Sequence, residues 1–189
     1  MRSLILLALL AASPALAQDW KKIEPADSAL VVAIPALKDA KPTYFDRAEG
    51  EPAKGEAPAV PTTDKVGYAG GGTLGVFWYE FVNGPAKWRE AGLRAVVEDL
   101  AWIADKNLVF ARTEQPYFRG NAEGKFRLFT YRPQNADRPC VVGQYTRSGS
   151  QVSERVTLIV CKPAGTQMDI AEAKKLVDAV GTKTLPPAM

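Results

Sequence analysis

The sequence predicts an α+β fold in which a mainly antiparallel sheet of about five strands packs with two amphipathic helices. Three observations predict it: β-forming runs separated by turn residues in the second half of the chain, an apolar stripe with helical spacing at residues 87–106, and a capped helix near the C-terminus. Short connections between the runs favour antiparallel neighbours. A more barrel-like sheet with the helices at its ends, including the terminal helix, is the alternative.

The composition is that of an ordinary globular protein, and it excludes a whole group of catalysts. The chain has 189 residues, of which 47% are hydrophobic and 24% are charged, and it contains no histidine. Without an imidazole, the chain cannot form a Ser-His-Asp or Cys-His catalytic site or a histidine-ligated zinc site. The formal net charge of +3 is too small to indicate binding to nucleic acid.

The first residues have the pattern of a bacterial signal peptide. A positive charge follows the initiating methionine, residues 4–12 form an apolar run, and Ala-Leu-Ala at 15–17 is the small-x-small pattern that signal peptidase recognises. We expect cleavage between Ala17 and Gln18, which gives a periplasmic or secreted product. The apolar run is too short for a membrane anchor. Gln18 in place of a cysteine argues against a lipoprotein, and no later apolar run is long enough to span a membrane.

The exported domain, residues 18–189, begins with a weak strand signal and a long irregular segment. Residues 29–34 form an apolar run that Pro35 ends, which predicts a first strand near an edge of the sheet. Residues 42–64 carry four prolines among Ala, Glu and Gly and lack periodicity, so they predict a flexible loop. This loop is interpreted as disordered, with a functional lid as the alternative.

A glycine-rich segment at residues 67–75 precedes an aromatic, β-forming run at residues 76–82. Residues 70–75 formally match the G-x-G-x-x-G pattern of dinucleotide-binding loops. A phosphate-binding loop needs a strand before it and a helix after it, whereas a β-forming run follows here. The segment is therefore interpreted as a flexible or bulged entry into a strand, and no cofactor is predicted.

The clearest helix lies at residues 87–106. Its apolar residues recur at spacings of three and four and form one stripe: Leu93, Val96, Val97, Leu100 and Ile103. Strands are predicted at residues 108–112 and 125–132, with a loop at 115–119 and a turn at 120–124 between them.

The two cysteines are predicted to form one disulfide within an antiparallel hairpin of strands 140–146 and 155–161. An even number of cysteines in an exported protein favours a disulfide. One register opposes Cys140 to Cys161, and it opposes three further pairs of matching character: Val142 with Ile159, Gln144 with Thr157 and Arg147 with Glu154. A redox-active pair is the alternative, but the chain has no C-x-x-C motif.

The C-terminal helix has a clear start signal. Asp169 is placed to cap it, and Glu172 lies three residues later, as in a capping box. Gly181 is placed to end it after an apolar side made of Leu176, Val177 and Val180. Residues 182–189, which contain two adjacent prolines, are predicted to form a loose tail.

Carboxylates are the first candidates for catalysis, because histidine is absent and both cysteines are assigned to a disulfide. Glu114 and Glu123 flank the predicted loop at 115–119, and a suitably spaced pair of carboxyls would fit a small secreted hydrolase such as a glycosidase. Solvated surface acids are the competing interpretation. The chain has no serine-nucleophile motif and no calcium-binding loop, so no catalytic motif and no metal site are predicted.

The second candidate site is a basic and aromatic sheet surface. Residues 106–162 contain ten basic and four acidic residues, with aromatic side chains among them. Arginine combined with aromatic residues is common at binding interfaces, and strand alternation places some of these residues on one side. The predicted binding residues are Arg119, Arg127, Phe129, Tyr131 and Arg132. A solvated sheet face with weak surface ion pairs is the alternative.

These observations favour an exported, non-enzymatic binding or accessory domain over an enzyme. A basic surface would suit an anionic partner in the bacterial envelope, such as a protein patch, a glycan or a lipid headgroup. Nucleic acid is not expected as a partner outside the cytoplasm. A small secreted hydrolase that uses Glu114 and Glu123 is the alternative function.

Overall fold

The computed structural model describes residues 20–40, 42–47, 62–84, 88, 92–98, 100, 107–133 and 136–188. The predicted signal peptide and residues 48–61 of the predicted flexible loop lie outside the described residues. Along the chain the elements are β1 (Trp20–Lys22), β2 (Leu30–Val32), a 3-10 turn (Pro35–Leu37), β3 (Thr43–Arg47), β4 (Thr62–Gly70), β5 (Thr73–Asn83), α1 (Leu93–Glu98), β6 (Asn107–Phe110), β7 (Gln115–Arg119), β8 (Ala122–Arg132), β9 (Arg138–Arg147), β10 (Val152–Cys161), α2 (Ile170–Asp178) and β11 (Val180–Thr182).

Within the described residues, nine strands form one sheet in the order β1-β3-β4-β5-β10-β9-β8-β6, with β7 also paired to β8. β2 and β11 form a separate antiparallel pair. The mainly antiparallel sheet that the sequence predicts is confirmed, but it has nine strands rather than about five. Because the order ends at separate edges, the described sheet is open, and the barrel-like alternative does not describe it.

The sheet has two faces, and both are covered at its centre. One side, the α2 face, packs against α2, the 3-10 turn and the β2–β11 pair, and its buried residues include Phe77, Phe126, Val141 and Leu158. The other side, the α1 face, packs against α1, and its buried residues include Phe129, Cys140, Val142 and Ile159. Burial on both faces explains why parts of β9 and β10 are almost continuously apolar.

The cysteine hairpin forms in the predicted register. β9 and β10 pair antiparallel, and the opposed residues are Cys140 with Cys161, Val142 with Ile159, Gln144 with Thr157 and Arg147 with Glu154. The two sulfurs are bonded at 2.03 Å, which confirms the predicted disulfide. Both cysteines are buried on the α1 face, in one cluster with Leu93 and Val97 of α1. The bond therefore lies in the core.

α1 occupies Leu93–Glu98, inside the helix predicted at residues 87–106. Leu93 and Val97 are buried against the sheet. Residues 101–106, at the end of the predicted helix, lie outside the described residues. Within the described part of the chain, no helix is long and apolar enough to cross a membrane.

α2 begins as the sequence predicts and ends earlier. The Asp169 carboxylate accepts a hydrogen bond of 2.7 Å from the Glu172 amide, which is the capping contact expected from their spacing. The helix ends at Asp178, and Gly181 is a residue of β11 rather than the residue that ends the helix. The helix ends early because β11 begins at Val180, where the chain pairs with β2.

Segments predicted to be irregular belong to the main sheet. The two ends of the predicted flexible loop at 42–64 form β3 and the start of β4. The predicted loop at 115–119 is β7, which pairs antiparallel with β8. The glycine-rich segment is a hairpin turn between β4 and β5, where Gly71 and Gly72 have φ angles of 56° and 78°. Strand formation here depends on neighbouring strands more than on the local sequence.

The C-terminal tail, predicted to be loose, is tied to the body of the domain. Thr182 is the last residue of β11, which pairs with β2. The Lys183 amide donates to the Ala29 carbonyl at 3.0 Å, and the Ala188 amide donates to the Asp178 carbonyl at 2.9 Å. Backbone hydrogen bonds thus fix the C-terminal tail, although its sequence predicts a loose segment.

Candidate functional site

Two of the five predicted binding residues lie inside the protein. Phe129 and Tyr131 of β8 are 3% and 6% exposed. They pack on the α1 face with Leu93 and Val97, and Phe129 stacks on Phe110 with ring centroids 5.3 Å apart. Their aromatic surface belongs to the core and is not presented to a partner.

Arg119 of β7 binds the protein's own C-terminal segment. Its guanidinium donates to the carbonyls of Asp178, Val180 and Leu185 at 3.0, 2.9 and 3.3 Å. It also donates to the Tyr145 hydroxyl at 2.9 Å. That hydroxyl in turn donates to the Val180 carbonyl at 3.0 Å. We call Arg119, Tyr145 and these three carbonyls the C-terminal clamp.

A buried carboxylate extends the C-terminal clamp. Glu154 is buried and accepts hydrogen bonds from the hydroxyls of Tyr79 and Thr184 at 3.0 and 2.6 Å. Arg147, opposite Glu154 in the hairpin, forms an ion pair with it at 2.5 Å. Burying a carboxylate is costly unless cations and hydrogen-bond donors surround it. These contacts to Glu154 therefore favour one position of the C-terminal tail, which contributes Thr184.

Tyr145 gives the C-terminal clamp a pH dependence. Burial raises the pKa of its hydroxyl from 10.0 to about 12. The folded state therefore holds this proton more tightly than the unfolded chain. The resulting stability is complete below about pH 10 and is lost as the pH rises through about 12. We expect the free energy of unfolding to fall by about 1.4 kcal/mol per pH unit in this window, and Tyr145→Phe to remove that contribution.

Urea denaturation at a series of alkaline pH values measures this effect. The comparison of wild type with Tyr145→Phe isolates this tyrosine, because every other titratable group is common to the two proteins. Tyrosinate absorbance of the folded protein gives an independent measure of the same pKa. If stability declined equally in both proteins across this window, Tyr145 would not be its source.

The remaining two predicted binding residues have partners within the chain. Arg132 forms a bidentate ion pair with Asp137 at the surface. Arg127 donates to the Ala111 carbonyl at 2.8 Å, and its guanidinium lies 5.3 Å from the centre of the Phe110 ring. The structure therefore does not bring the five predicted residues together on one surface.

The two carboxylates considered for catalysis have different surroundings. Glu114 precedes β7 and pairs with Lys125, with 3.1 Å between Oε2 and Nζ. Glu123 is exposed on β8 and lines an open groove that Glu114 does not line. Of the two carboxylates, Glu123 lines this groove, and Glu114 contacts another of its lining residues, Lys125.

This groove lies on the α1 face, beside the part that α1 covers. We call it the β8–β9 groove; it has a volume of about 290 Å³ and is lined by Phe118, Glu123, Gly124, Lys125, Gln144, Tyr145 and Thr146. Three large hydrophobic residues are exposed among the side chains that the structure describes, and Phe118, at 68%, is the aromatic one. An exposed ring thus stands beside polar side chains in a concave surface.

Strand register explains why these residues meet. Phe118 pairs with Glu123 in the β7–β8 hairpin. Across β8 and β9, Glu123 pairs with Thr146 and Lys125 pairs with Gln144. Paired positions, and positions two residues apart on a strand, share one face of a sheet. The groove therefore carries an aromatic ring, a carboxylate, an ammonium, an amide and a hydroxyl on one face.

Gly124 forms the floor of the groove. A Cβ atom at this position would overlap the Gln144 carbonyl oxygen and the Tyr145 Cα, so the close approach of β8 and β9 requires glycine. Gln144 is buried, and its side-chain amide donates to the Thr157 hydroxyl at 2.9 Å. The lining thus includes closely packed backbone and an amide that is already oriented.

Several cations on this side of the sheet are paired with carboxylates. The ion pairs near the groove and α1 join Lys125 and Arg127 to Glu114, Arg155 to Glu80, and Arg94 to Glu98. The Arg155–Glu80 pair is bidentate, at 2.5 and 2.7 Å. Among the described residues, no group of three or more Cys, Asp and Glu side chains is placed to hold a metal ion.

Phe118, Gln144 and Thr146 are not among the site residues that the sequence predicts. A loop at 115–119 hides the strand alternation that places Phe118 beside Glu123, and a strand at this segment is the signal that points to the groove. An exposed ring among mixed donors and acceptors suits non-covalent recognition of a ligand. Comparisons with protein-family models, curated proteins and solved structures found no match to this chain.

Proposed function

We propose that this chain is an exported, non-enzymatic binding domain that holds a component of the bacterial envelope in the β8–β9 groove. The observation that carries the proposal is the exposed ring of Phe118 beside the buried, oriented amide of Gln144. Burying a phenyl ring contributes about 2 kcal/mol of favourable free energy, and the exposed ring of Phe118 can gain this on binding a ligand. Aromatic side chains are frequent anchors of binding sites.

Export is supported by the leader-like residues 1–17 and by the disulfide. Disulfides persist in oxidising compartments and are rare in the cytosol, and Cys140 and Cys161 are bonded here. A periplasmic or secreted location would expose the groove to the polymers, lipids and proteins of the envelope.

Binding is favoured over hydrolysis by the placement of the carboxylates. A glycosidase needs two carboxyl groups that flank one glycosidic bond. Glu114 is ion paired with Lys125 and does not line the groove that holds Glu123. No observation favours the hydrolase as a second candidate.

The ion pairs around the groove bear on the chemistry of the partner. Composition suggested an anionic partner, which would require cations without carboxylates beside them. Lys125 and Arg155 instead have carboxylate partners, Glu114 and Glu80. This pairing favours a polar, uncharged ligand group, and the anionic partner becomes an outcome that the experiment distinguishes.

Replacing Phe118 with alanine is expected to weaken binding to isolated envelope material at least about tenfold. The fold should remain intact, because the ring is exposed and its removal leaves no cavity. Cosedimentation with purified peptidoglycan sacculi, and with vesicles of neutral or anionic phospholipid, measures binding. Thermal unfolding verifies the fold.

Ile170→Ala is the matched control, because Ile170 is also exposed, at 53%, but lies on α2 at the opposite side of the sheet. It should bind as wild type does. Salt-sensitive binding to anionic vesicles that persists in Phe118→Ala would instead assign an anionic partner to another surface. Absence of binding to every envelope fraction would overturn the proposal.

A further inference from the structure

We infer that the ligand of the β8–β9 groove is an uncharged glycan, with one sugar ring stacked on Phe118; this inference rests on the proposed function. Phe118 supplies the exposed aromatic surface of the groove. A sugar ring presents C–H groups on its faces and hydroxyls around its edge. An exposed phenyl ring, which has no polar atom, is complementary to such a face and leaves the edge to neighbouring polar groups.

The polar residues of the groove match the edge of a sugar ring. Glu123 can only accept hydrogen bonds when ionised, Lys125 can only donate them, and the Gln144 amide and Thr146 hydroxyl offer both functions. Hydroxyl groups of a sugar likewise donate and accept. Glu123 and Lys125 lie two positions apart on β8, roughly 7 Å along the strand, a span comparable with that of one pyranose ring.

The groove is poorly suited to a peptide that adds a strand. Main-chain groups of β8 and β9 already pair with each other from Glu123–Thr146 to Lys125–Gln144. β7, the neighbouring strand, carries Pro116, which has no N–H to donate to a further strand. Recognition in this groove therefore depends on side chains, which suits a ligand that displays hydroxyls.

An anionic headgroup is likewise a poor match. Phosphate recognition uses arginine forks or clustered ammonium groups that an anion can reach. Here Lys125 is held by Glu114 at 3.1 Å, and Glu123 places a further negative charge in the groove itself. An uncharged sugar avoids repulsion from Glu123 and can donate to it.

The test uses three variants at one position, with soluble, uncharged N-acetylglucosamine oligosaccharides as the glycan probe. Phe118→Tyr keeps an aromatic face and should bind within about threefold of wild type. Phe118→Leu keeps a large apolar side chain without a ring and should lose about tenfold or more, as should Phe118→Ala. Titration calorimetry measures the affinities, and NMR shifts of the Gln144 side-chain amide locate the sugar.

The outcomes separate this inference from the proposed function. Equal affinities of Phe118→Leu and Phe118→Tyr would overturn stacking. Binding of phospholipid vesicles, an extended peptide or peptidoglycan sacculi that depends on Phe118, with no binding of the oligosaccharides, would overturn the uncharged glycan and leave the binding function standing. Failure of every probe to bind would remove both.

Discussion

Arg119→Ala is expected to lower the free energy of unfolding by about 3 kcal/mol. Arg119 donates to the carbonyls of Asp178, Val180 and Leu185 and to the Tyr145 hydroxyl. Without the guanidinium these acceptors lose a charged donor at a place where water has limited access. Leaving a buried acceptor without a donor costs more free energy than losing a hydrogen bond at the surface. Urea denaturation followed by circular dichroism measures the loss.

Arg132→Ala is the matched control. Arg132 belongs to the same predicted binding set, but its ion pair with Asp137 lies in solvent, so we expect no measurable change. Hydrogen exchange adds a local readout, since the amides of Thr182 and Leu185 are bonded within the tail and should exchange faster in Arg119→Ala. If Arg119→Ala does not fold, Arg119→Lys, which keeps the charge without the fork, should show an intermediate loss. Equal stability of the Arg119 and Arg132 variants is inconsistent with the C-terminal clamp.

This prediction also decides how binding must be tested. A variant that removes Arg119 would reduce binding by loosening the tail, even if Arg119 never contacts a ligand. Phe118, one residue earlier in β7, points to the opposite face of the strand and is exposed. Loss of binding in a Phe118 variant that unfolds like wild type can be assigned to the groove.

The cysteine hairpin is the part of the fold that the sequence predicts residue by residue. Several independent requirements agree in one register: the Cys140–Cys161 bond, an apolar pair at Val142 and Ile159 and opposite charges at Arg147 and Glu154. A shift by one residue would break all of them at once. Agreement between such requirements is what makes a local prediction reliable.

The rest of the sheet could not be predicted in this way. β3, β4 and β7 have no long apolar run, and their strand character comes from neighbours that lie far away in sequence or in an unexpected hairpin. A segment assigned to a loop instead of a strand also changes which side chains are expected at the surface. With residues 115–119 assigned to a loop, neither the inward position of Arg119 nor the outward position of Phe118 could be derived.

The ion-pair partners of the basic residues could not be predicted from the sequence either. The sequence gives the excess of basic residues but not their partners, because ion pairs form across the sheet. Arg155 and Glu80 are 75 residues apart and meet only because β5 and β10 are adjacent. Arg147 is drawn to the buried Glu154 and Arg119 to the tail. These arginines therefore bind partners within the protein. The distinctive surface feature near the groove is the exposed aromatic ring of Phe118.

Loss of the Cys140–Cys161 disulfide is expected to lower the free energy of unfolding by about 3 kcal/mol. The bond joins residues 21 positions apart, and in the chain-entropy model its main effect is to restrict the unfolded chain. Cys140→Ala combined with Cys161→Ala removes the bond without leaving a thiol. Cys161→Ser alone should cost more, because it also leaves a polar hydroxyl in the buried α1 face.

Reductant provides the control for this second prediction. Wild type unfolded and refolded in dithiothreitol should show the urea midpoint of the double alanine variant, and the variant itself should not respond to dithiothreitol. Because both sulfurs are buried with Leu93 and Val97, folded wild type should resist reduction until urea opens the α1 face. A wild-type midpoint that is the same with and without reductant would show that the bond adds nothing. Rapid reduction of the folded protein would instead show that the α1 face opens without global unfolding, and would reassign the bond from a core crosslink to an accessible one.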